Sequence, residues 1–126
     1  MNGPVATARE VREERLAVSI PAFAHPEWTE RFPWLVQGTT GRGEGAEPFN
    51  LRLFGAEPVG RVMERWRALR EATGCARVVY ARQVHGTNVL VHGDGPPGIL
   101  IADDADGHAT TSEGTLLTVS VADCVP

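Results

Sequence analysis

The 126-residue chain has few cysteines, no excess of positive charge and no long apolar run. Two widely separated cysteines, Cys75 and Cys124, do not make the disulfide framework of a small secreted protein. A net charge of −4 provides no basic face for nucleic acid. No apolar segment approaches the roughly 20 residues of a membrane span. The N-terminus has no charged segment followed by an apolar one, so no secretory signal is predicted. We therefore expect a cytoplasmic protein that binds neither nucleic acid nor membrane.

The composition is that of a folded domain, with 42% hydrophobic and 22% charged residues. A chain of this length forms one domain or part of one, and it can bury a substantial core. Residues 1–33 are interpreted as a charged leader followed by a first strand at residues 16–20. Residues 34–126 are interpreted as the N-terminal part of a single domain.

One helix and several strands are predicted within residues 34–126. The helix follows Pro58 and ends at Gly74, with an apolar stripe at helical spacing. Alternating or apolar runs predict strands at 34–40, 77–85, 88–92, 99–101 and 115–122. A glycine-rich loop at 41–45 brings backbone N–H groups into reach of a ligand, although its spacing is not that of a P-loop.

Two residues with metal-binding or nucleophilic chemistry are predicted at strand ends. His85 closes one strand and Cys124 another, and strand ends far apart in sequence can converge. Histidine nitrogen and cysteine sulfur suit either a zinc site or a Cys–His nucleophile pair. Spacing alone also allows a structural histidine beside a buried cysteine. The acidic run at 103–106 lacks the spacing of an EF-hand and is interpreted as a solvated turn.

Three motifs occur in order in the second half of the chain: Arg-Gln-Val-His-Gly at 82–86, Ala-Asp at 105–106 with Thr110, and Val-Ala-Asp-Cys-Val-Pro at 121–126. Together they resemble signatures of the laccase-domain family. Proteins of that family were first described as multicopper polyphenol oxidoreductases and are now mostly regarded as zinc-dependent purine nucleoside phosphorylases. Upstream, residues 37–42 and 49–51 are similar to the family's early glycine–threonine–arginine and asparagine–leucine segments. The resemblance covers about residues 34–126.

The resemblance implies an α+β fold in which mixed β-sheets pack in layers with outer helices. It also implies that His85 and Cys124 are metal ligands, with zinc as the cofactor and copper as the alternative. The implied reaction is phosphorolysis of adenosine, inosine, guanosine or methylthioadenosine, and adenosine deamination occurs in the family too. The implied partners are a nucleoside and phosphate.

Two departures from the family pattern affect these expectations. Gln37 stands where the family's early segment usually begins with a histidine. The family's third metal ligand lies in a His-Ala-Gly-Trp-Arg-Gly segment after the cysteine motif, and this sequence lacks that segment. We therefore expect a domain that is incomplete at its C-terminus and is inactive as this chain alone.

Four further residues receive predicted roles in the complete site. Arg42 is the candidate phosphate ligand, because a guanidinium binds phosphate through two parallel hydrogen bonds. Asn50 is the candidate for binding ribose or base. Asp123 and Gln83 are the candidate catalytic residues, with Asp123 orienting a ligand or accepting a proton.

Two alternatives to a phosphorylase stay open. The first is a copper-dependent polyphenol oxidoreductase, a laccase, since histidine and cysteine also bind copper. Its four-electron reduction of oxygen, however, needs many more histidines than the four present. The second is a non-catalytic truncated homologue.

Overall fold

The computed structural model describes Gly3 and residues 8–121. In chain order the elements are β1 Glu14–Arg15, β2 Ala22–Ala24, α1 Pro26–Arg31, β3 Thr39–Thr40, α2 Val59–Thr73, β4 Arg77–Tyr80, β5 Val89–His92, β6 Gly98–Ile101, β7 Gly107–Thr110 and β8 Thr115–Leu117. The strands form three small sheets. The fold class is α+β with mixed sheets, which confirms the expected class.

The three sheets differ in strand direction. The first is antiparallel, with the order β1-β2-β3. The second is parallel, with the order β6-β4-β8, and β5 and β7 form a separate parallel pair. From β4 onward the chain therefore alternates between two parallel sheets. The carboxyl ends of β4, β6 and β8 consequently lie along the same edge of their sheet.

The core lies where α2 packs against the parallel sheet. Trp66 is 2% exposed. Its ring packs edge to face against that of Tyr80, with the ring centroids 5.2 Å apart. Its indole N–H donates to the carbonyl of Leu51 at 2.8 Å. Val78 and Val79 point to opposite faces of β4, and both are fully buried. Strand β4 is therefore the covered centre of this sheet.

Helix α2 was predicted correctly. Pro58 precedes its first residue and Gly74 ends it in the left-handed conformation, at a φ of 68°, which costs glycine little. Val62, Trp66 and Leu69 form its buried face, as the apolar stripe predicted. Val59, the first residue of that stripe, is instead 62% exposed.

The predicted strand at 16–20 is wrong. Those residues form the bend between β1 and β2, which the N–H of Leu16 closes by donating to the carbonyl of Ala22 at 2.9 Å. Leu16, Val18 and Ile20 alternate because they pack onto the core from this bend. An alternating pattern records which residues are buried and does not require strand pairing.

Three other predicted strands are shorter than expected. The 34–40 segment pairs only at β3, the 77–85 segment only at β4, and the 115–122 segment only at β8. Val119 and Val121 are 57% and 42% exposed, so the expected buried leucine–valine face does not continue past β8. Beyond β4 and β8, backbone N–H groups donate to side chains of loops: that of Val84 donates to Asp106, and that of Ser120 donates to Gln83.

Besides β1 and β2, which lie outside every predicted strand, two elements were not predicted. The first is α1, where Pro26 occupies the first turn and the Nδ1 atom of His25 accepts the N–H of Trp28 at 3.4 Å. The second is β7, whose Gly-His-Ala-Thr sequence has weak strand character but pairs with β5. Neither helix of the described chain has the length and apolar character needed to traverse a lipid bilayer.

Candidate functional site

A loop at the carboxyl edge of the parallel sheet presents His85. The backbone N–H groups of Val84, His85 and Gly86 all donate to the carboxylate of Asp106, with shortest distances of 3.1, 2.8 and 2.9 Å. Three successive N–H groups that converge on one anion form a backbone nest. Asp106 follows β6, so two strand ends meet in this contact.

The nest constrains the backbone of His85. Its φ is 58°, in the left-handed region that few residues other than glycine occupy. Such a conformation costs of order 1–3 kcal/mol and persists only where surrounding contacts impose it. Asp106 supplies those contacts through backbone N–H groups. The imidazole of His85 is therefore free of the nest and lies at the exposed surface.

Asp106 is ionised as a consequence of this geometry. The N–H of Gly86, followed by those of His85 and Val84, holds the pKa of the Asp106 carboxyl below its usual value, against the opposing effect of desolvation. A hydrogen-bond acceptor is required at this position because all three partners are donors. The sequence prediction noted Asp106 only as part of a motif and missed this function.

A second carboxylate braces the same loop. Asp104 accepts two hydrogen bonds from the guanidinium of Arg82, at 3.1 Å from Nε and 2.5 Å from Nη2. The hydrogen bonds from Arg82 lower the pKa of the Asp104 carboxyl. The N–H of Ala105, a fully buried residue, donates to the carbonyl of Arg82 at 3.1 Å. The acidic run forms a bend with Asp103 and Asp104 exposed, as predicted for a solvated turn, and Asp104 and Asp106 also hold the loop.

Gln83 links this loop to the segment after β8. Its Oε1 atom accepts the N–H of Ser120 at 2.5 Å, and the hydroxyl of Thr118 donates to the carbonyl of Val79 at 2.7 Å. These bonds hold residues 118–120 beside the chain that leaves β4. The segment leading to Asp123 and Cys124 therefore begins next to the His85 loop, while Asp123 and Cys124 themselves lie outside the described residues.

Arg42 lines an open groove on another part of the molecule. The groove has a volume of about 300 Å³, and the guanidinium-bearing residues Arg15, Arg42 and Arg65 line it together with Glu44 and Glu47. The carbonyl of Arg42 accepts the N–H of Phe49 at 2.8 Å, which fixes the backbone of the glycine-rich loop. The side chain of Arg42 is exposed.

Asn50 belongs to a polar network beside this groove. Its Nδ2 donates to Glu57 at 3.1 Å, its Oδ1 accepts the N–H of Arg52 at 3.0 Å, and its carbonyl accepts from Arg65 at 3.0 Å. The Nη2 atom of Arg65 also lies 2.6 Å from Glu57. The side-chain amide of Asn50 is therefore already engaged through both of its polar atoms.

The ion pair of Glu57 and Arg65 dominates the electrostatics of that network. Hydrogen bonds from Arg65 and then from Asn50 lower the pKa of the Glu57 carboxyl to about 2. The same contact with Glu57 raises the pKa of Arg65. The pair joins Glu57, just before α2, to Arg65, a residue two helical turns into α2, and it was not predicted from the sequence.

Gln37 has a bracing role. Its Nε2 atom donates to the carbonyl of His25 and to the hydroxyl of Thr29, at 3.1 and 3.2 Å, and its Oε1 accepts the N–H of His25 at 3.1 Å. The amide thereby ties the segment before β3 to the start of α1. At this position the chain has a structural residue in place of the histidine usual in the resembling family.

The described residues divide the predicted site into two clusters. One contains Gln83 and His85 at the sheet edge, and the other contains Arg42 and Asn50 beside α2. Within residues 8–121, no hydrogen bond between side chains joins the two clusters, and no group of three or more histidine, cysteine or acidic residues could hold a metal ion. The donor chemistry of His85 and Cys124, one nitrogen and one sulfur, nevertheless fits zinc or copper.

Comparison with known proteins identifies the family. The profile described as multi-copper polyphenol oxidoreductase laccase matches residues 37–126. The chain belongs to this family. The match to the laccase-type family contains both clusters and begins at Gln37, so β1, β2 and α1 precede it. No curated protein and no solved structure matched the chain.

Proposed function

We propose that this laccase-family protein is a zinc-dependent purine nucleoside phosphorylase. The observation that carries the proposal is the convergence of the His85 loop, its Asp106 anchor and the Ser120 backbone at one edge of a parallel sheet. Ligands of open α/β sheets bind outside the carboxyl ends of parallel strands. The resemblance to the phosphorylase members of the family suggests the reaction, and the convergence of these loops supports a ligand site at this edge of the sheet.

His85 and Cys124 would hold the metal ion. Bound zinc acts as a Lewis acid that polarises an oxygen atom of water or substrate. Asp106 is a positioning residue, because it fixes the backbone from which the His85 imidazole projects. Gln83 is a second positioning residue, since it fixes the chain four residues before Cys124. Asp123 remains the candidate for orienting a ligand or accepting a proton.

Arg42 would bind the phosphate substrate. Arg42 lines an open groove together with Arg15 and Arg65, where a dianion gains charge-assisted hydrogen bonds. Glu57 already neutralises Arg65, so Arg42 is the cation with more capacity for substrate. Asn50 would contact the nucleoside, which requires its amide to exchange its bond to Glu57 for one to substrate.

The proposed reaction conserves all atoms. A phosphate oxygen forms a bond to C1′ of the ribose as the bond between C1′ and the purine nitrogen breaks. The base leaves with the electron pair of that bond and takes up one proton. The products are ribose 1-phosphate and the free purine, with no net oxidation.

A phosphorolysis assay tests the proposal. The full-length protein, supplied with zinc, is incubated with inosine with and without phosphate, and ribose 1-phosphate, hypoxanthine and bound metal are measured. We expect phosphate-dependent formation of both products. Bound zinc without any turnover would support a non-catalytic homologue and would overturn the proposal.

Replacement of arginine tests the substrate groove. We expect Arg42→Ala to raise the KM for phosphate more than about tenfold, because a charge-assisted contact is worth roughly 1.5–3 kcal/mol. Arg12→Ala is the matched control, since Arg12 is highly exposed and pairs only locally with Glu10. Equal KM values for both variants would remove Arg42 from the phosphate site.

Copper-dependent oxidation of a polyphenol is the second candidate function. The description of the matching family favours it. The reaction removes electrons from a phenol and passes them to oxygen, so it requires copper and no phosphate. Oxygen consumption with a phenolic substrate, measured in copper-loaded protein, distinguishes this activity from phosphorolysis.

A further inference from the structure

Two histidines face each other across the β5–β7 pair, away from the His85 loop. Leu90 of β5 is opposite His108 of β7, and His92 is opposite Thr110, so His92 and His108 are diagonal neighbours on one face. The Nε2 atom of His92 lies 2.9 Å from the Nδ1 atom of His108. The ring centroids are 5.1 Å apart, farther than the two nitrogens, so these nitrogens lie on the sides of the rings that face each other.

The sheet places these imidazoles on its more buried face. Val89 and Val91 alternate with Leu90 and His92 along β5, and the two valines are 57% and 81% exposed. The histidines are both part-buried. A half-buried strand normally turns its apolar residues inward and its polar residues outward. In β5 the polar His92 is part-buried, whereas the apolar Val91 is exposed. The position of the pair is thus set by the fold and is not that of two solvated side chains.

The side chain of Thr110, on the neighbouring strand, holds the backbone of His92 in place. The hydroxyl of Thr110 donates to the carbonyl of His92 at 2.7 Å and accepts the N–H of Ser112 at 3.0 Å. These bonds join the ends of β5 and β7, beside the imidazole pair. Both imidazoles are therefore attached to backbone that is already held in register. This lowers the entropy cost of ordering the site when a ligand binds.

We propose that His92 and His108 form a two-nitrogen site for a divalent transition-metal ion, separate from the site of His85 and Cys124. Two nitrogen ligands at about 2.0–2.1 Å from one ion lie roughly 2.9–3.4 Å apart for bond angles of about 90–110°. The present separation of 2.9 Å falls at the lower limit of that range. For both lone pairs to meet at one ion with these bond angles, each must make an angle of about 35–45° with the line that joins the two nitrogens.

The protonation of the pair also suits metal binding. Imidazole must be neutral at the nitrogen that binds a metal. Burial, and then the charge of His92, lowers the pKa of His108 below its usual value. The ion displaces the proton shared between the two rings, and that proton moves to an outer ring nitrogen or to solvent. The remaining coordination positions are filled by water, because the described chain supplies only this pair.

The class of ion follows from the ligands. Imidazole suits zinc, copper and nickel, whereas magnesium and calcium prefer oxygen. Nickel is the best probe here, because Ni²⁺ favours nitrogen ligands and does not oxidise the thiols of Cys75 and Cys124. Because Ni²⁺ also binds thiolates, the His85→Gln variant is needed to separate binding at His85 and Cys124 from binding at the histidine pair.

Titration of the untagged chain with NiCl₂ tests the site. We expect calorimetry to show one binding event whose affinity falls more than about tenfold in His92→Gln and in His108→Gln. His25→Gln is the matched control, and His85→Gln tests separation from the site implied by the family. We expect both of these variants to retain the event. Loss in His85→Gln, or retention in both pair variants, would overturn the proposal.

A measurement on the unaltered protein guards against misfolded variants. Ni²⁺ is paramagnetic, so substoichiometric ion broadens the imidazole NMR signals of the residues that bind it. We expect the signals of His92 and His108 to broaden before those of His25 and His85. Broadening that begins at His25 or His85 would contradict the assignment. Neither result depends on nucleoside phosphorolysis, so failure of the proposed function leaves this test intact.

Discussion

At the scale of single residues, Asp106 has the most consequential contacts in the described chain. One carboxylate accepts three successive backbone N–H groups and imposes a left-handed conformation on His85. The side chain that defines the loop is thus an acid two strands away in sequence. A candidate metal ligand is oriented here through its own backbone.

Replacing Asp106 by asparagine tests this role. One oxygen becomes an NH₂ group, which faces backbone donors where an acceptor is needed. We expect the affinity of zinc that depends on His85 to fall about 10–100-fold, as for other residues that orient a ligand. Zinc binding is measured by competition with a chromogenic chelator.

Asp103→Asn is the matched control for this change. Asp103 is an exposed acid of the same run, and it should be replaceable without effect. Equal zinc affinity in Asp106→Asn and Asp103→Asn would show that the nest does not position His85. Solution NMR of the Val84, His85 and Gly86 amides reports separately whether the nest is lost.

Glu57 provides a pH prediction at the same scale. Its pKa is lowered from 4.5 to about 2 in the folded protein, so the unfolded chain binds the proton more readily. The stabilisation is complete above pH 4.5 and is lost as the pH falls towards 2. We expect Glu57→Gln to remove this part of the acid dependence in urea unfolding measured between pH 5 and 2.

The control for Glu57 is another acid of the same region. Glu64 lies on the exposed side of α2 and makes no side-chain hydrogen bond within the described chain. Glu64→Gln should therefore leave the slope of stability against pH close to that of the original protein. A Glu57→Gln slope that matches the control would contradict the importance of the Arg65 contact.

At the scale of elements, α2 was predictable because its signals are local. Apolar spacing, a proline before the first turn and a glycine at the end all lie within residues 58–74. The buried face follows directly from that spacing. The exception is Val59, which belongs to the apolar stripe by sequence but lies at the exposed start of the helix.

Two valines on α2 allow a matched test of packing. Val62 is fully buried and Val59 is 62% exposed. We expect Val62→Ala to lower the free energy of unfolding by about 2–3 kcal/mol, from lost transfer energy plus a cavity. Val59→Ala should change it by less than about 0.5 kcal/mol. Chemical denaturation measures both, and similar losses would show that α2 does not pack as described.

Strand ends were less predictable than the helix. β4 pairs only as far as Tyr80, although the predicted strand continues to His85. Past that point the backbone meets the side chains of Asp106, and the carbonyl of Arg82 accepts from Ala105. The end of the strand is therefore set by hydrogen bonds to Ala105 and Asp106, which lie more than 20 positions later in the sequence. No local sequence pattern predicts such contacts.

At the scale of the whole molecule, parallel strand direction gathers three loops at one edge. The chain after β4 carries Gln83 and His85, the chain after β6 carries Asp106, and the chain after β8 carries Ser120. The cluster of Arg42 and Asn50 instead lies with α2. Phosphorolysis requires these clusters to contact one bound substrate.

The outward face of the β5–β7 pair also has a consequence for the whole molecule. Val89 and Val91 expose apolar surface on a two-stranded sheet, which promotes self-association. We expect the double change Val89→Thr and Val91→Thr to raise the protein concentration at which light scattering detects aggregates. Val59→Thr, an exposed valine elsewhere, should have no such effect. Equal aggregation thresholds would exclude this face as the source.

The sequence by itself determined the fold class, the position of α2, the family and the candidate ligands. Each of these depends on local periodicity or on short motifs, which are readable without knowing what the chain contacts. His85 was predicted as a site residue from its motif. Its left-handed backbone and its position in a loop beyond the end of β4 were not predicted.

Only the tertiary structure decided how those residues are held. The nest around Asp106, the bond from Ser120 to Gln83, the pairing of Glu57 with Arg65 and the facing imidazoles of His92 and His108 all join distant segments. Such contacts depend on strand order and register, which in a parallel sheet are set by long connections. For that reason, the sequence predicted the candidate ligands, whereas the contacts that hold the His85 loop became visible only in the fold.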